Sequence, residues 1–360
     1  MKQYLDLLHE ILVNGVEKES GRENMPNTLE ISKGDISMDL SEGFPLLTTK
    51  KMFWKGIVHE LLWFLRGETN IKYLVDNGVN IWNGDAYRWY LKWWEEAGQY
   101  EGGLRKMTMN EFVGQIKEES NCEYRWSRVP NLAAETYTVG DLGKVYGYQW
   151  RNQNGVDQIA DILRDLKKNP YGRYKILDAW NKADFSQMAL PPCHLMYQFI
   201  VRPMTINERL QYKENLNKGQ NPGYELGRSE EYYESYCDNW DIPKYYLDLN
   251  MYQRSCDTFL GVPFNLASMS LLLMIFAKTS GMVAGVANWI GGHTHIYTDH
   301  IPVVGEQVKR DPLPLPTMKI NKELNGLSDI ESLTIDDFEL IGYECHDKLK
   351  AELFTGLKKK

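Results

Sequence analysis

Met188-Ala189-Leu190-Pro191-Pro192-Cys193-His194 runs directly into Leu195-Met196-Tyr197-Gln198-Phe199-Ile200-Val201. The second stretch is apolar and rich in aromatic and β-branched residues, and it reads as a buried strand. Two prolines ahead of it fix φ and remove backbone donors, so the chain enters the strand stiffly and the Cys193 sulfur is held in one direction. That is a setting for a nucleophile. Free cysteine is also common core filler, and for this segment alone that reading stands beside the first.

Outward from this strand, the pattern alternates between helix and strand. Met1 to Val16 places Leu5, Leu8, Ile11 and Leu12 at helical spacing. Thr28–Ile31 and Ile36–Leu40 alternate apolar with polar residues and read as a hairpin across Lys33-Gly34-Asp35. Met52 to Arg66 predicts a helix with Ile57, Leu61, Phe64 and Leu65 on one face, closed by Gly67. Val156 to Lys167 predicts another, stopped by Asn169-Pro170; Tyr174–Trp180 and Tyr246–Met251 read as further central strands. Asn265 to Thr279 is the strongest helical pattern, entered after Gly261-Val262-Pro263. Residues 87–139 and 205–244 read as irregular or polar surface insertions in a single domain spanning 1–360, and Lys358-Lys359-Lys360 as a solvated tail.

Composition narrows the class. With 360 residues, 43% of them hydrophobic, the chain can bury a substantial core, and disorder is excluded for most of it. A net charge of −8 leaves no general basic field for nucleic acid, so an anionic ligand must be met by a few placed arginines, which favours a small phosphorylated molecule. Five cysteines, scattered and without a C-x-x-C pair, fit a reducing cytosol better than a disulfide framework or a zinc site. The N-terminus has no signal-peptide pattern, and the longest apolar run, Leu271 to Ala277, is too short to span a bilayer. The expectation is a cytoplasmic protein without membrane or nucleic-acid partners.

Several residues could carry chemistry. Tyr252-Gln253-Arg254-Ser255-Cys256-Asp257 brings a guanidinium, a hydroxyl and a carboxylate to the end of a strand; the arginine fork suits phosphate oxygens, and an Arg254–Asp257 surface pair is the plainer alternative. Asn265 either caps its helix or reads a base edge through its amide. Glu60 shares the apolar face of its helix, where burial should raise its pKa into the range of general acid-base work unless a buried cation pairs with it. His293, His295 and Tyr297 face one side of a strand. Two histidines so close, with His300 behind them, raise the question of zinc; with no cysteine or acid at matching spacing, hydrogen bonding or packing is expected and no metal. A Cys193-His194 hydrolase pair is disfavoured because adjacent strand residues point to opposite faces.

Gly43-Phe44-Pro45-Leu46-Leu47-Thr48-Thr49-Lys50, His59-Glu60-Leu61-Leu62-Trp63-Phe64-Leu65, Asp141-Leu142-Gly143-Lys144-Val145-Tyr146-Gly147, Pro192-Cys193-His194, Gln253-Arg254-Ser255-Cys256-Asp257 and Pro263-Phe264-Asn265, in this order, closely resemble the thymidylate synthase family. The resemblance runs to Gly342-Tyr343. It implies an α/β fold with a large mixed sheet flanked by helices, and a homodimer whose sheets pack back to back. It implies that Cys193 attacks C6 of dUMP and that C5 then takes a one-carbon unit from 5,10-methylenetetrahydrofolate. By the same resemblance, Arg254, Ser255 and Arg22 bind the 5′-phosphate, with Gln253 in the same segment, and Arg173 reaches it from the second subunit. Asn265 reads uracil, and His295 and Tyr297 hold the ribose 3′-hydroxyl. Glu60 organises proton transfer, with Tyr146 and His194 nearby; Asp257 and Trp82 serve the folate.

The chain departs from the family pattern in three places. Paired arginines appear as Arg173-Tyr174, the expected Gly-Asp-x-His reads Gly292-His293-Thr294-His295, and the tail from Lys350 to Lys360 is longer and more basic than the short apolar one that closes over folate. Water exclusion decides between dTMP and 5-hydroxymethyl-dUMP, so a dUMP hydroxymethylase is the alternative, and an inactive nucleotide- or RNA-binding homologue the second. Trp82 favours the synthase, and Asn265 favours uracil over cytosine.

Overall fold

The structure is a computed structural model that describes residues 1–97, 105–118, 123–126, 135–216 and 223–357. Cys122 and the Lys358–Lys360 tail lie outside the described residues. After the helix Lys2–Asn14 come three short strands, β1 (Val16–Lys18), β2 (Thr28–Ile31) and β3 (Gly34–Asp39). A small hairpin, β4 (Glu123–Trp126) with β5 (Glu135–Thr138), follows, then β6 (Ile176–Asp178), β7 (His194–Pro203), β8 (Tyr245–Asp257) and β9 (Val283–Tyr297), and last the pair β10 (Thr317–Ile320) and β11 (Phe338–Ile341). The main sheet has seven strands in the order β1-β2-β9-β8-β7-β6, with β3 also on β9. Strands β8 and β9 run parallel and the other pairs antiparallel, which makes the sheet mixed.

One face of this sheet is covered by helices. Helix 261–279 packs on β8 and β9, and helix 54–65 packs on helix 261–279 and on helix 146–152. Both are apolar nearly all round, as expected of helices inside a core rather than on its surface. The outer face carries exposed Met196, Ile200 and Tyr252. Hence β7 is half-buried where the sequence predicts a buried strand, because helices cover one side of it only.

Other expectations need correction. Strands β2 and β3 do not form a hairpin: both pair antiparallel with β9, at Thr28–Tyr297 and Gly34–Gly291, as two lengths of one interrupted strand. The Lys33-Gly34-Asp35 break is a jog along β9. Strand β6 sits at the sheet edge, not its centre, and Tyr174 before it is exposed. Residues 87–139 are not irregular over their described part. They hold most of helix 83–97, all of helix 109–118 and the β4–β5 hairpin, and Trp89, Tyr90, Phe112, Ile116 and Tyr137 join the main core. Over its described part, the region 205–244 holds two helices around a small cluster of Leu210, Cys237 and Ile242. Helix 261–279 starts four residues before Asn265. At 19 residues it is long and apolar enough to cross a membrane by length and composition, yet it is mostly buried in the protein core.

Candidate active site

Cys193 sits at the mouth of β7, partly exposed, where its carbonyl accepts the Arg254 amide at 2.8 Å. The loop that delivers it is held from behind. Gly143 has φ +72°, and a Cβ there would fall 2.0 Å from the Gln187 carbonyl, so only glycine lets the 141–144 segment bridge to Met188. Arg254 lies in β8 itself, one strand from Cys193, because β8 continues to Asp257 instead of ending at Met251. Its Nε donates to the Pro192 carbonyl and its Nη2 to the Pro191 carbonyl, each at 2.8 Å, with Nη2 4.0 Å from the Cys193 sulfur. The two prolines therefore present carbonyls to the arginine that flanks the thiol, and Trp180 lies against the guanidinium at 5.5 Å. Burial pushes the thiol pKa up while the Arg254 charge, the Tyr146 hydroxyl and the Arg22 charge pull it down.

Beneath the thiol lies an aromatic layer. The Tyr146 hydroxyl accepts the Cys193 backbone N–H at 2.7 Å, and its ring packs on His194 and Phe64. His194 is buried, its Nδ1 2.8 Å from the Tyr197 hydroxyl, and desolvation drives its pKa down to about 3, so it is neutral at physiological pH. Glu60 is buried too, and among the described residues no cation pairs with it; the indole of Trp82 donates to its Oε1 at 2.7 Å. Desolvation, only partly opposed by that hydrogen bond, lifts the Glu60 pKa to about 7, poised to hold or release a proton near neutrality.

A second group gathers at the far ends of β8 and β9, where Ser255 pairs with His293 and Asp257 with His295. Asp257 Oδ1 accepts the amides of Phe259 and Leu260, turning the chain into helix 261–279, so the carboxylate serves that turn rather than pairing with Arg254. Asn265 is no cap; it lies within the helix, part-exposed, its amide without a hydrogen bond among the described residues. Tyr297 is buried, and desolvation with the Asp257 charge pushes its pKa up to about 12, against a downward pull from Arg22. The 19–27 loop between β1 and β2 thus brings Arg22 to the site. Gln253 is buried and spends its amide internally, donating to the Ser255 carbonyl and accepting the Trp289 indole N–H, so it shapes the site through the backbone of Ser255. Arg173 stands exposed before edge strand β6, with no hydrogen bond or ion pair to this cluster among the described residues.

Some contributors are not legible from the residues alone. Lys50 is buried over the Phe259 ring and donates to the Phe259 carbonyl; desolvation lowers its pKa to about 7, opposed by Asp257. Its place at the close of the Gly43–Lys50 motif is the one signal for it. The tail also folds onto the site. Phe354 stacks on His300 and meets Tyr297, both at 5.0 Å, Arg88 donates to the Thr355 carbonyl, and Asn24 donates to the Gly356 carbonyl. Among the described residues no three His, Cys, Asp or Glu side chains converge as a metal-ligand set.

A family model described as thymidylate synthase matches residues 2–355. The chain is similar to thymidylate synthases of Mesoplasma florum, 40% identical over 355 residues with 98% of this chain and 99% of the relative covered, and of Mycoplasma mobile, 40% identical over 353 residues with the same coverage. The thymidylate synthase of Mycoplasma pneumoniae is 36% identical over 355 residues, with 98% and 99% covered. A match of this extent, on a mixed sheet that gathers the cysteine, arginine, glutamate and tryptophan of the motifs at one place, shows that the chain belongs to the thymidylate synthase family of methyltransferase-type one-carbon transferases.

Proposed function

We propose that this chain converts dUMP to dTMP with 5,10-methylenetetrahydrofolate as co-substrate, through addition of the Cys193 sulfur to C6 of the pyrimidine. The observation that carries the reading is a thiol at the mouth of β7 flanked by the Arg254 guanidinium, above a buried Glu60 whose pKa lies near 7. A sulfur added at C6 makes C5 the carbon that takes the methylene; loss of the C5 proton then releases tetrahydrofolate and leaves an exocyclic methylene, and hydride from that folate completes the methyl group as the C6–S bond breaks, leaving dihydrofolate and the free thiol.

Arg254, Ser255 and Arg22 meet the 5′-phosphate, Asn265 the uracil edge, and His295 with Tyr297 the ribose. The amide of Asn265, without a hydrogen bond among the described residues, and the clustering of Ser255, His295 and Arg22 around the ends of β8 and β9 support these assignments. Glu60 handles the proton exchanged at O4 and C5, with Tyr146 and His194 fixing the floor. Trp82 and Asp257 take the folate. The exposed Met196, Ile200 and Tyr252 support a homodimer in which a second copy covers the outer sheet face and supplies Arg173 to this site. Residues 1–360 act as one cytoplasmic catalytic unit.

The test is incubation of the full chain with dUMP and methylenetetrahydrofolate, with products identified by mass. The expected products are dTMP and, by absorbance, dihydrofolate. Release of 5-hydroxymethyl-dUMP without dihydrofolate would instead make the enzyme a hydroxymethylase, and no product at all would leave a nucleotide-binding homologue. Cys193→Ala should abolish turnover and leave dUMP binding measurable.

A further inference from the structure

The residue that replaces an acid in Gly292-His293-Thr294-His295 has a partner the sequence does not announce. Glu30 on β2 lies directly across from His295 on β9, and His293 is two residues along the same strand face. The His293 Nε2 stands 2.9 Å from Glu30 Oε2, and the Glu30 side chain is only 4% exposed. On its other side, His293 Nδ1 lies 3.4 Å from His295 Nδ1, with ring centroids 5.3 Å apart. A carboxylate, an imidazole and a second imidazole thus form a row that ends beside Asp257, the cross-strand neighbour of His295.

We infer that the Glu30–His293 pair sets which ring nitrogen of His295 carries its proton, and with it whether His295 meets the nucleotide's 3′-hydroxyl as donor or acceptor. The logic is hydrogen-bond bookkeeping on a ring with two distinct nitrogens. A neutral His293 that keeps its proton on Nε2, toward Glu30, turns a bare Nδ1 to His295. His295 then carries its own proton on Nδ1, where the His293 carbonyl at 3.2 Å also accepts it, and its Nε2 is an acceptor. A protonated His293 turns Nδ1–H to His295. The proton of His295 then moves to Nε2, which becomes a donor. Among the described residues both hydrogen bonds of the His295 ring run through Nδ1, so Nε2 is the nitrogen left for the nucleotide.

The charges around His293 are Glu30 on β2, Lys18 on β1 at 3.0 Å from the same Glu30 oxygen, and Glu10, Lys33 and Tyr252, which line with it an open cavity of about 790 Å³. His295 is faced by Asp257 and by Tyr297, whose rings meet edge-on at 5.2 Å. Glu30 also accepts the Thr28 hydroxyl, and its pKa is held down by that bond and by Lys18 and His293 against its own burial. A carboxylate that stays charged, 2.9 Å from Nε2, favours the Nε2–H tautomer of His293. Glu30 and His293 are therefore positioning residues, acting through His295.

The inference rests on the reading of His295 as the ribose ligand, and the experiment separates the two. Histidine-selective ¹⁵N spectra of the full chain between pH 5.5 and 8.5 read the His295 tautomer directly, and the same samples give affinities for dUMP and for its 3′-deoxy analogue, whose phosphates titrate alike. The expected result is a change of His295 tautomer with pH in the parent, together with a change of about fivefold in the preference for dUMP over the analogue. In His293→Gln the tautomer stays fixed and the preference is level with pH, whereas Glu30→Ala, which leaves the His293 Nε2 without its acceptor, changes the ratio of the two His295 tautomers. A single His295 tautomer throughout, with a 3′-hydroxyl preference that ignores pH, would overturn the inference and leave the ribose assignment standing. Equal affinity for the two nucleotides at every pH would overturn both.

Discussion

The phenol oxygen of Tyr146 lies 2.7 Å from the backbone nitrogen of Cys193 and accepts its hydrogen, while the same ring lies against His194 with centroids 4.4 Å apart. One residue thus fixes both the nucleophile's backbone and the floor beneath it. Tyr146→Phe should keep the packing and lose the bond, costing about 1 kcal/mol of stability. Turnover should fall about tenfold as the sulfur loses its fixed direction, a barrier change of about 1.4 kcal/mol. Steady-state kinetics beside a thermal melt would show it; a lower melting point with unchanged kcat would mean the bond is purely structural.

Glu60 and Trp82 make a second prediction. Burial raises the Glu60 pKa from 4.5 to about 7, so the fold favours its neutral form. The sign follows: this stability is fully present below about pH 4.5 and is lost as pH rises through 7, a change on the order of 3 kcal/mol at most. Glu60→Gln, measured by melting temperature from pH 5 to 8.5, should remove that loss while reducing turnover severely. Trp82→Phe deletes the indole donor that lowers the pKa, so the kcat–pH limb near 7 should shift upward. Lys50 also titrates near 7, and a limb that survives in Glu60→Gln would belong to it.

His194 predicts the opposite slope. Its folded pKa is depressed to about 3, so the neutral ring contributes stability above pH 6.5 that drains away as pH falls toward 3. His194→Gln should flatten the loss of melting temperature between pH 6.5 and 4. An equally steep acid limb in the variant would assign it to another group.

The tail supplies the last prediction. Phe354 covers Tyr297 and His300, and Arg88, itself paired with Asp85, holds the Thr355 carbonyl. Deleting residues 353–360 should leave dUMP affinity within a few-fold but lower dTMP formation about 100-fold, because water is no longer excluded from the folate side. The product mixture should gain 5-hydroxymethyl-dUMP, which mass spectrometry detects. Unchanged kinetics would show that the tail only rests on the protein.

The sequence by itself determined the strand behind Cys193, the core helices and the family, since a strand's apolar run, helical spacing and glycine stops are local signals read within a few residues. It also singled out Glu60 as a carboxylate on an apolar face. The tertiary structure decided who meets whom: that a tryptophan rather than a cation faces Glu60, that β2 and β3 share β9 instead of each other, that Arg254 holds the prolyl carbonyls, and that Glu30 stands behind His293. Those partners lie tens to hundreds of residues apart, and strand alternation cannot say which neighbouring strand a face will find. Pairing across a sheet is settled by the total burial of all its strands at once, and no single segment carries that information.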